Sequence, residues 1–194
     1  MKKVVIGVIV VIVLLALVGG CNSYNGLVKA DVEVQNKWSQ VETQYQRRSD
    51  LIPNLVSTVK GAAKFEQSTL TAVIEARSKA SQIKVDASQL TPENIAKYQQ
   101  AQGQVSQALS RLMVLTENYP DLKATQQFSD LSVALEGTEN RIATSRKDFN
   151  DAVKSYNLST RTFPGNIFAG MFGFKEKSAF VAEAGADKAP KVEF

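Results

Sequence analysis

Apolar residues recur every three or four positions along most of this chain of 194 residues, and this spacing predicts a succession of amphipathic helices. Four such stripes predict four helices, the first between residues 24 and 48, the second over 50–80, the third over 92–119 and the fourth over 122–161. Short connections make neighbouring helices antiparallel, so the pattern predicts an all-α fold, an elongated antiparallel helical bundle of about four long helices. The first stripe, between residues 24 and 48, consists of Leu27, Val34, Trp38, Val41 and Tyr45.

Residues 47–56 are predicted to form the corner between the first and second helices. The arginine pair at 47–48 would end the first helix, where a cation interacts favourably with the helix dipole. Asp50 would cap the second helix, and Pro53 would lie in its first turn, where the missing N–H group has no intrahelical acceptor to lose. Farther along, residues 91–94 predict the start of the third helix, with a capping threonine followed by proline.

Charged residues interrupt some of the apolar stripes. Glu66 and Arg77 lie on the second stripe, where they either form a charged cluster inside the bundle or, as we favour, reach water along apolar stems. Counted from the far end of the bundle, Arg77 and Arg146 fall at one level, which predicts pairing with acidic neighbours rather than an anion site. The polar face of the third helix, interpreted as solvated, carries Gln99, Gln100, Gln102, Gln104 and Gln107.

Residues 4–20 carry neither a charge nor a polar side chain, and two lysines precede them. A helix of about 17 residues spans about 26 Å, close to the hydrocarbon thickness of a bilayer. Residues 1–21 are therefore interpreted as a membrane anchor or as a lipoprotein-type signal. In the second case Cys21, the one cysteine of the chain, would carry lipid at a new N-terminus, and the sequence leaves both alternatives open. The lysines at the start favour a bundle on the extracytoplasmic side of a bacterial membrane.

Residues 22–163 are predicted to form the bundle, and residues 164–194 an apolar-then-polar C-terminal tail. The bulky apolar residues between 167 and 174 need a cover. They either lie at the membrane surface, with Lys175 and Lys177 at the level of the headgroups, or dock on the membrane-proximal end of the bundle. The end of the tail, residues 184–192, is predicted to be polar and mobile.

The composition excludes several kinds of chemistry. Because the chain has no histidine and one cysteine, neither a Ser-His-Asp or Cys-His catalytic arrangement nor a His/Cys zinc site can be built. We predict no catalytic, metal-binding or cofactor-binding residue, and no enzyme. A net charge of +4 with interspersed signs does not favour nucleic-acid binding. The alternative of another class is an enzyme that uses buried carboxylates such as Glu66 and Glu139, but no nucleophile or second acid accompanies them.

The order and spacing of several short motifs resemble the LemA family of bacterial membrane-anchored helical proteins. The resemblance extends from Tyr24 to the region of Phe180, and it is densest over residues 47–56. One departure is Phe149, where such sequences often have tyrosine. The motif residues, interpreted as structural or interaction positions, are Arg47, Arg48, Asp50, Pro53, Asn54, Glu66, Arg77, Tyr119, Pro120, Glu139, Arg141, Arg146, Asn150 and Asn157.

The resemblance implies an elongated bundle behind one N-terminal membrane segment, without a well-defined biochemical activity. Some relatives are connected with membrane-protease systems, and one with organelle-membrane assembly in magnetic bacteria. We therefore expect a membrane-anchored, non-enzymatic scaffold or adaptor that presents its bundle to unknown protein partners or to further copies of itself as a homo-oligomer. The alternative is a regulatory partner of a membrane protease or of an envelope-stress system.

Overall fold

A computed structural model of the chain describes residues 2–61 and 66–181. Within those ranges every regular element is a helix, which confirms the predicted all-α fold. Helices α1, α2, α3 and α5 form the bundle, and two short helices, α4 and α6, follow α3 and α5. The elements are α1 (Lys2–Lys60), α2 (Gln67–Gln82), α3 (Pro92–Thr116), α4 (Pro120–Lys123), α5 (Gln126–Arg161) and α6 (Gly165–Phe172).

The predicted corner at residues 47–56 is wrong, because α1 continues through this region without a break. Asp50 is a mid-helix residue whose carboxylate accepts a hydrogen bond from Gln46 Nε2 at 2.7 Å, and it caps no helix. The chain reverses between α1 and α2 instead. The physical reason is that the apolar stripe keeps its helical phase beyond the arginine pair, and burying that stripe outweighs the cost of one internal proline. The residues that continue the stripe into the core are Ile52, Leu55 and Val59.

Helix α5 packs antiparallel to α1. The rings of Trp38 and Phe149 lie 5.3 Å apart between centroids. Ten residues farther along α1, Arg48 contacts Glu139, which lies ten residues earlier on α5. Helices α2 and α3 form a second pair, and α2 also packs on α1. The bundle is therefore built from two helix pairs joined along α1.

The interior divides into two clusters of buried residues. The proximal cluster lies toward the start of α1 and is rich in aromatic rings, whereas the distal cluster lies toward the end of α1 and is mainly aliphatic. The proximal cluster includes Val34, Trp38, Val41, Tyr45, Tyr98, Ile142, Phe149, Val153, Tyr156 and Phe180. The distal cluster includes Ile52, Leu55, Val59, Leu70, Val73, Val105, Leu109, Leu112, Phe128 and Leu135.

The connection between α2 and α3, residues 83–91, covers the proximal cluster. The indole Nε1 of Trp38 donates a hydrogen bond to the carbonyl oxygen of Val85 at 3.1 Å. Thr91 then caps α3 as predicted, because its hydroxyl accepts a hydrogen bond from the N–H of Asn94 at 3.3 Å, and a proline occupies the first turn. The start of α3 is therefore fixed by its own sequence.

The last long helix starts later than predicted. Helix α3 ends at Thr116, ahead of Pro120, as expected, but that proline and the three residues after it form the separate short helix α4. Thr125 then caps α5 by accepting a hydrogen bond from the N–H of Phe128 at 3.4 Å. The 36 residues of α5 extend about 54 Å, which agrees with the predicted elongated bundle.

After α5 the chain turns at a cis Phe163–Pro164 peptide bond and forms α6, which docks on the first part of α1. The ring of Phe168 lies against Gly20, in the space that a side chain at that position would occupy. Tyr24 meets the ring of Phe172 edge to face, with 4.8 Å between centroids. Docking on the bundle, one of the two predicted covers for this apolar segment, is therefore present.

Helix α1 runs without interruption through Cys21, which lies exposed on its surface. Among the residues that the structure describes, none of the helices combines the length and the hydropathy needed to cross a membrane. The predicted polar end of the tail, residues 184–192, lies outside the described residues.

Candidate functional site

The guanidinium of Arg48 lies buried where three helices meet, with 1% of the residue exposed. Its Nη1 donates hydrogen bonds to Glu139 Oε1 at 2.8 Å and to Ser106 Oγ at 2.6 Å. Its Nη2 donates to the carbonyl oxygen and the side-chain Oε1 of Gln102, at 3.1 and 2.6 Å. These bonds join α1, α3 and α5 and offset the cost of removing a cation from water.

Two tyrosine rings cover one side of this network. Arg48 Cζ lies 5.0 Å from the centre of the Tyr45 ring, and that ring meets Tyr98 edge to face at 5.4 Å. Burial raises the pKa of both phenols above the usual value, although the nearby cations Arg146 and Arg48 act in the opposite direction on Tyr45. Both phenols are therefore neutral at neutral pH, and the counter-charge of Arg48 is the carboxylate of Glu139.

Pro53 leaves one backbone carbonyl oxygen of α1 without its helical hydrogen-bond donor, and Arg77 supplies a donor in its place. Proline has no N–H group, so the carbonyl oxygen of Ser49, four residues earlier, loses its helical partner. Arg77 Nε, on α2, donates a hydrogen bond to this oxygen at 2.7 Å. The arginine thereby satisfies a backbone acceptor and ties α2 to α1 beside the proline.

Residues 175–181, which we call the tail segment, are extended and lie along α5. Asn157 donates its Nδ2 to the carbonyl oxygen of Lys177 at 2.7 Å, and its Oδ1 accepts from the N–H of Lys177 at 2.9 Å. Asn150 holds Phe180 in the same way, at 3.0 and 2.9 Å. We call these two asparagines the clasp. Each of them satisfies both backbone groups of one residue in the tail segment.

The spacing of the clasp matches two periodicities. Asn150 and Asn157 are two turns apart on α5, about 10.5 Å along the axis. Lys177 and Phe180 are three residues apart, about 10 Å in an extended chain. Asn157 therefore lies opposite Lys177 while Asn150 lies opposite Phe180. Each side-chain amide binds the backbone of the tail segment as the backbone of a neighbouring β-strand would.

The side chains of the tail segment are fixed as well. Lys177 Nζ forms an ion pair of 2.7 Å with Asp31 on α1, and both groups are largely buried. The ring of Phe180 stacks on that of Trp38, with 5.9 Å between centroids, and it belongs to the proximal core cluster. The ion pair of Lys177 and the ring of Phe180 therefore both hold the described part of the C-terminal tail against the bundle.

Lys177 Nζ also donates a hydrogen bond to the carbonyl oxygen of Ala87 at 3.3 Å. Three other hydrogen bonds fix the tail segment. Burial, together with the Asp31 carboxylate, raises the pKa of Tyr156 to about 12, so its hydroxyl stays protonated and serves as a donor. The bonds are Tyr156 Oη to the carbonyl oxygen of Lys175 at 2.9 Å, Ser178 N–H to that of Leu90 at 2.9 Å, and Gln99 Nε2 to that of Val181 at 2.8 Å.

An open cleft of about 710 Å³ lies between α3 and α5, on the side of the distal cluster. Leu109, Phe128 and Leu135 line it, and Glu139 also contributes to its wall. The exposed residues Val114 and Val133 are part of the lining. This mainly apolar surface is suited to contact with another apolar surface, and it is separate from the tail segment.

The structure brings many of the motif residues into contact. They fall into three groups, each of which joins different elements. Arg48 contacts Glu139, Arg77 restores the hydrogen bond that Pro53 removes, and Asn150, Asn157 and Arg146 contact the tail segment.

The other motif residues lie outside these groups. Arg47, Asp50 and Asn54 share one exposed face of α1, and Arg141 is exposed on α5. Glu66 is exposed and precedes the first turn of α2, where it accepts a hydrogen bond from the hydroxyl of Ser68. Tyr119 and Pro120, the one partly buried and the other exposed, stand at the start of α4.

Two expectations about side chains need correction. Arg77 and Arg146, which the sequence placed at one level, have separate partners: a backbone oxygen for the first and, for the second, the ring of Phe180 at 4.7 Å. The interpretation of the glutamine face as solvated is wrong for Gln102, because this side chain turns inward to Arg48, and for Gln99, because its Nε2 donates a hydrogen bond to the carbonyl oxygen of Val181.

The sequence reasoning missed several residues of the network. Gln102 lies four residues after the buried Tyr98 and three before the buried Val105, so the helical phase could have placed it inward. Ser106 follows it by one turn. Asp31 and Phe180 gave no local signal, because their partners are distant in the chain.

The arrangement holds elements together. In the part of the chain that the structure describes, no three His, Cys, Asp or Glu side chains are gathered as a metal ion would require. Arginine and asparagine supply directional hydrogen bonds between elements, and the cleft supplies an apolar surface.

Comparison with known proteins agrees with the motifs. The model of the LemA family matches residues 37–194. Magnetosome protein MamQ 2 of Paramagnetospirillum magneticum is 29% identical over 185 residues, which cover 84% of this chain and 66% of that protein. Magnetosome protein MamQ of Magnetospirillum gryphiswaldense is 27% identical over 185 residues, with the same coverage. Protein LemA of Metamycoplasma hominis is 28% identical over 145 residues, which cover 75% of this chain and 63% of that protein.

The chain thus spans somewhat less than two thirds of the length of these curated relatives. The family match itself extends over most of the chain, and it contains the Arg48 network, the Pro53–Arg77 contact and the clasp. From this match and the motifs that it contains, we conclude that the chain belongs to the LemA family.

Proposed function

We propose that this chain is a non-enzymatic helical scaffold, held at a bacterial membrane by its N-terminal segment, whose bundle offers contact surfaces to other proteins. The continuity of α1 carries the proposal. The uncharged residues 4–20 and the core-forming residues from Leu27 onward belong to one helix. Whatever holds the first part of the helix therefore fixes the position of the whole bundle.

The bundle reinforces α1 where it is weakest. A proline inside a helix removes one hydrogen bond and favours a kink, and in α1 this proline is Pro53. Arg48 ties α1 to α3 and α5 on one side of it, and Arg77 restores the missing bond from α2. From residue 20 to residue 60 the helix extends about 60 Å, so the bundle holds its far end well away from the N-terminal segment.

Two forms of attachment fit the N-terminal segment. The uncharged run over residues 4–20 is a little shorter than the about 20 residues of a typical membrane span. It would serve as a short span, or as a signal whose removal leaves lipid on Cys21. In the first form the apolar side chains that the bundle does not cover, such as Val10 and Leu14, lie outside the folded core, and in the second form they are removed with the signal. Relatives named for the magnetosome support an association with a membrane.

Lysine substitutions in the N-terminal segment test the attachment. Each lysine costs about 2.5–3.5 kcal/mol at the centre of a membrane helix, so Val10→Lys with Leu14→Lys should release the full chain from carbonate-washed membranes. The matched control is Ile74→Lys, at an exposed apolar position of α2, which should stay with the membranes. Equal retention of the two variants would refute the attachment, and Cys21→Ala separates a lipid from a span.

Photo-crosslinking from the bundle in living cells tests the scaffold. A photoreactive residue at Val133, beside the cleft, should yield adducts that the same residue at the exposed Lys79 of α2 does not yield. Neighbouring structural proteins, or further copies of this chain, among the adducts would support the scaffold. A membrane protease together with its substrates would support the regulatory alternative instead. Identical adducts from both positions would speak against a contact surface at the cleft.

A further inference from the structure

Helix α6 docks one side on the bundle and leaves a large apolar side uncovered. Ala169 is buried, and the ring of Phe168 lies against Gly20. Between Thr162 and Phe174 the chain has no charged residue. The uncovered residues are Ile167, Met171 and Phe172 of α6, with exposed fractions of 52%, 69% and 53%, and Phe163 just before the helix, with 80%.

The position of α6 indicates what covers this surface. Gly20, which touches Phe168, is the last residue of the uncharged run of α1, and Tyr24, which touches Phe172, lies one turn later. Helix α6 therefore lies where the apolar part of α1 gives way to the part that forms the bundle. If a bilayer holds the apolar part, its headgroup region falls at this level.

Charged side chains flank the uncovered surface. Arg161 ends α5 just before it, and Lys175 begins the tail segment just after it. Both are exposed, and Arg161 makes a 3.6 Å contact with Glu176. An apolar helix face between cations is typical of a helix that lies in the membrane interface, where the cations meet lipid phosphates.

We infer that α6 is a second membrane contact, lying in the headgroup region of the same bilayer that holds the N-terminal segment, with Phe163, Ile167 and Met171 inserted at the acyl boundary. The inference rests on the membrane attachment proposed above. A bundle attached at one point can tilt, whereas contacts at residues 4–20 and at α6 fix its orientation. The tail segment, which starts directly after α6, strengthens this geometry because the clasp binds it to α5.

Tryptophan quenching tests the contact in the full chain. The protein has one tryptophan, Trp38, which is buried and gives a constant background. Ile167→Trp or Met171→Trp introduces a second tryptophan at an exposed position of α6. Each variant is placed in vesicles of phosphatidylcholine and phosphatidylglycerol. The matched control is Val133→Trp, at a position that is 67% exposed, close to the 69% of Met171, but lies beside the cleft. Lipids brominated on the acyl chain then quench a tryptophan only where it reaches the bilayer.

We expect the added emission at residues 167 and 171 to be quenched several-fold more than that at residue 133. Flotation of the same vesicles measures attachment separately, and circular dichroism confirms the helical fold of each variant. Flotation without preferential quenching at α6 would overturn the inference and leave the attachment standing. Failure to float would overturn the attachment and the inference with it. Quenching that disappears in 1 M salt would also overturn it, since insertion of apolar side chains does not depend on charge.

Discussion

Arg48 and Glu139 form an ion pair whose two members differ in exposure. The side chain of Arg48 is 1% exposed, and that of Glu139 is 41% exposed. Loss of the carboxylate would leave a buried cation with neutral acceptors alone, whereas loss of the guanidinium would leave a carboxylate that water reaches. We therefore expect Glu139→Gln to lower the free energy of unfolding by about 2 kcal/mol, and Arg48→Met to lower it less.

Chemical denaturation of the full chain in detergent, followed by circular dichroism, measures this order. Glu136→Gln serves as the control, because Glu136 is an exposed carboxylate on the same helix and should change the free energy of unfolding little. A larger loss for Arg48→Met than for Glu139→Gln would show that the hydrogen bonds that Arg48 donates to Gln102 and Ser106 outweigh its charge.

The contact between Arg77 and the Ser49 carbonyl depends on Pro53 and predicts a coupled pair of substitutions. In the native chain Arg77→Met leaves this carbonyl without a donor, and we expect a loss of about 1–2 kcal/mol in the free energy of unfolding. Pro53→Ala restores an N–H group four residues after Ser49, so the same substitution should cost less in that background.

A double-mutant cycle measured by denaturation gives the coupling between the two positions. Arg141→Met, which removes an exposed arginine on α5, should cost little in either background. If the loss caused by Arg77→Met is the same with proline and with alanine at position 53, the arginine stabilises the bundle through another contact.

At the scale of elements, hydrophobic phase proved a better guide than local helix signals. Asp50 and Pro53 are suited to a helix start, yet Ile52, Leu55 and Val59 continue the apolar stripe of α1 in step. A true corner breaks that phase, and the sequence showed no break. Helix α3 was predictable, since capping by Thr91 at its start and the proline at 120 beyond its end act locally.

The clasp was not predictable from the sequence, because it depends on contacts between distant residues. Asn150 and Asn157 looked like polar positions of an amphipathic helix, and nothing in residues 175–181 indicates an extended segment bound to a helix. The packing of the proximal cluster decides this, since it leaves a site for Phe180 beside Trp38. Similarly, the helical phase could have placed Gln102 toward the interior, whereas the sequence does not identify Arg48 as its partner.

The clasp predicts that the tail segment is released by a small change on α5. Asn150→Ala with Asn157→Ala removes four hydrogen bonds to backbone groups, each contributing about 1 kcal/mol, and we expect the tail segment to detach while the helices persist. Amide exchange at Lys177 and Phe180 should become fast, and the emission of Trp38 should shift as Phe180 leaves it. Asn140→Ala, at an exposed asparagine of the same helix, is the control. Unchanged exchange at both amides would show that the side chains of Lys177 and Phe180 and the other hydrogen bonds of the tail segment hold it without the clasp.

For the whole molecule, the proposed membrane attachment and the course of α1 together predict the side of the membrane on which the bundle lies. The lysines at positions 2 and 3 precede the uncharged run, and basic residues favour the cytoplasmic side. Helix α1 then carries the bundle away from that run without reversing. Val133 on α5 lies six residues before Glu139, which contacts Arg48, so it stands near residue 54 of α1, about 50 Å beyond residue 20.

This geometry predicts that a thiol at Val133 is reachable from outside the cell. The cells are treated so that their outer layers are permeable while the cytoplasmic membrane stays intact. A membrane-impermeant maleimide should then label the Val133→Cys variant more than the parent chain, which has one cysteine. The exposed position at 133 makes the substitution mild, because a surface side chain contributes little to folding. A cytoplasmic protein with an exposed thiol, labelled only after lysis, controls for leakage. Added labelling that appears only after lysis would place the bundle in the cytoplasm, and the two lysines would then not determine the orientation of the chain.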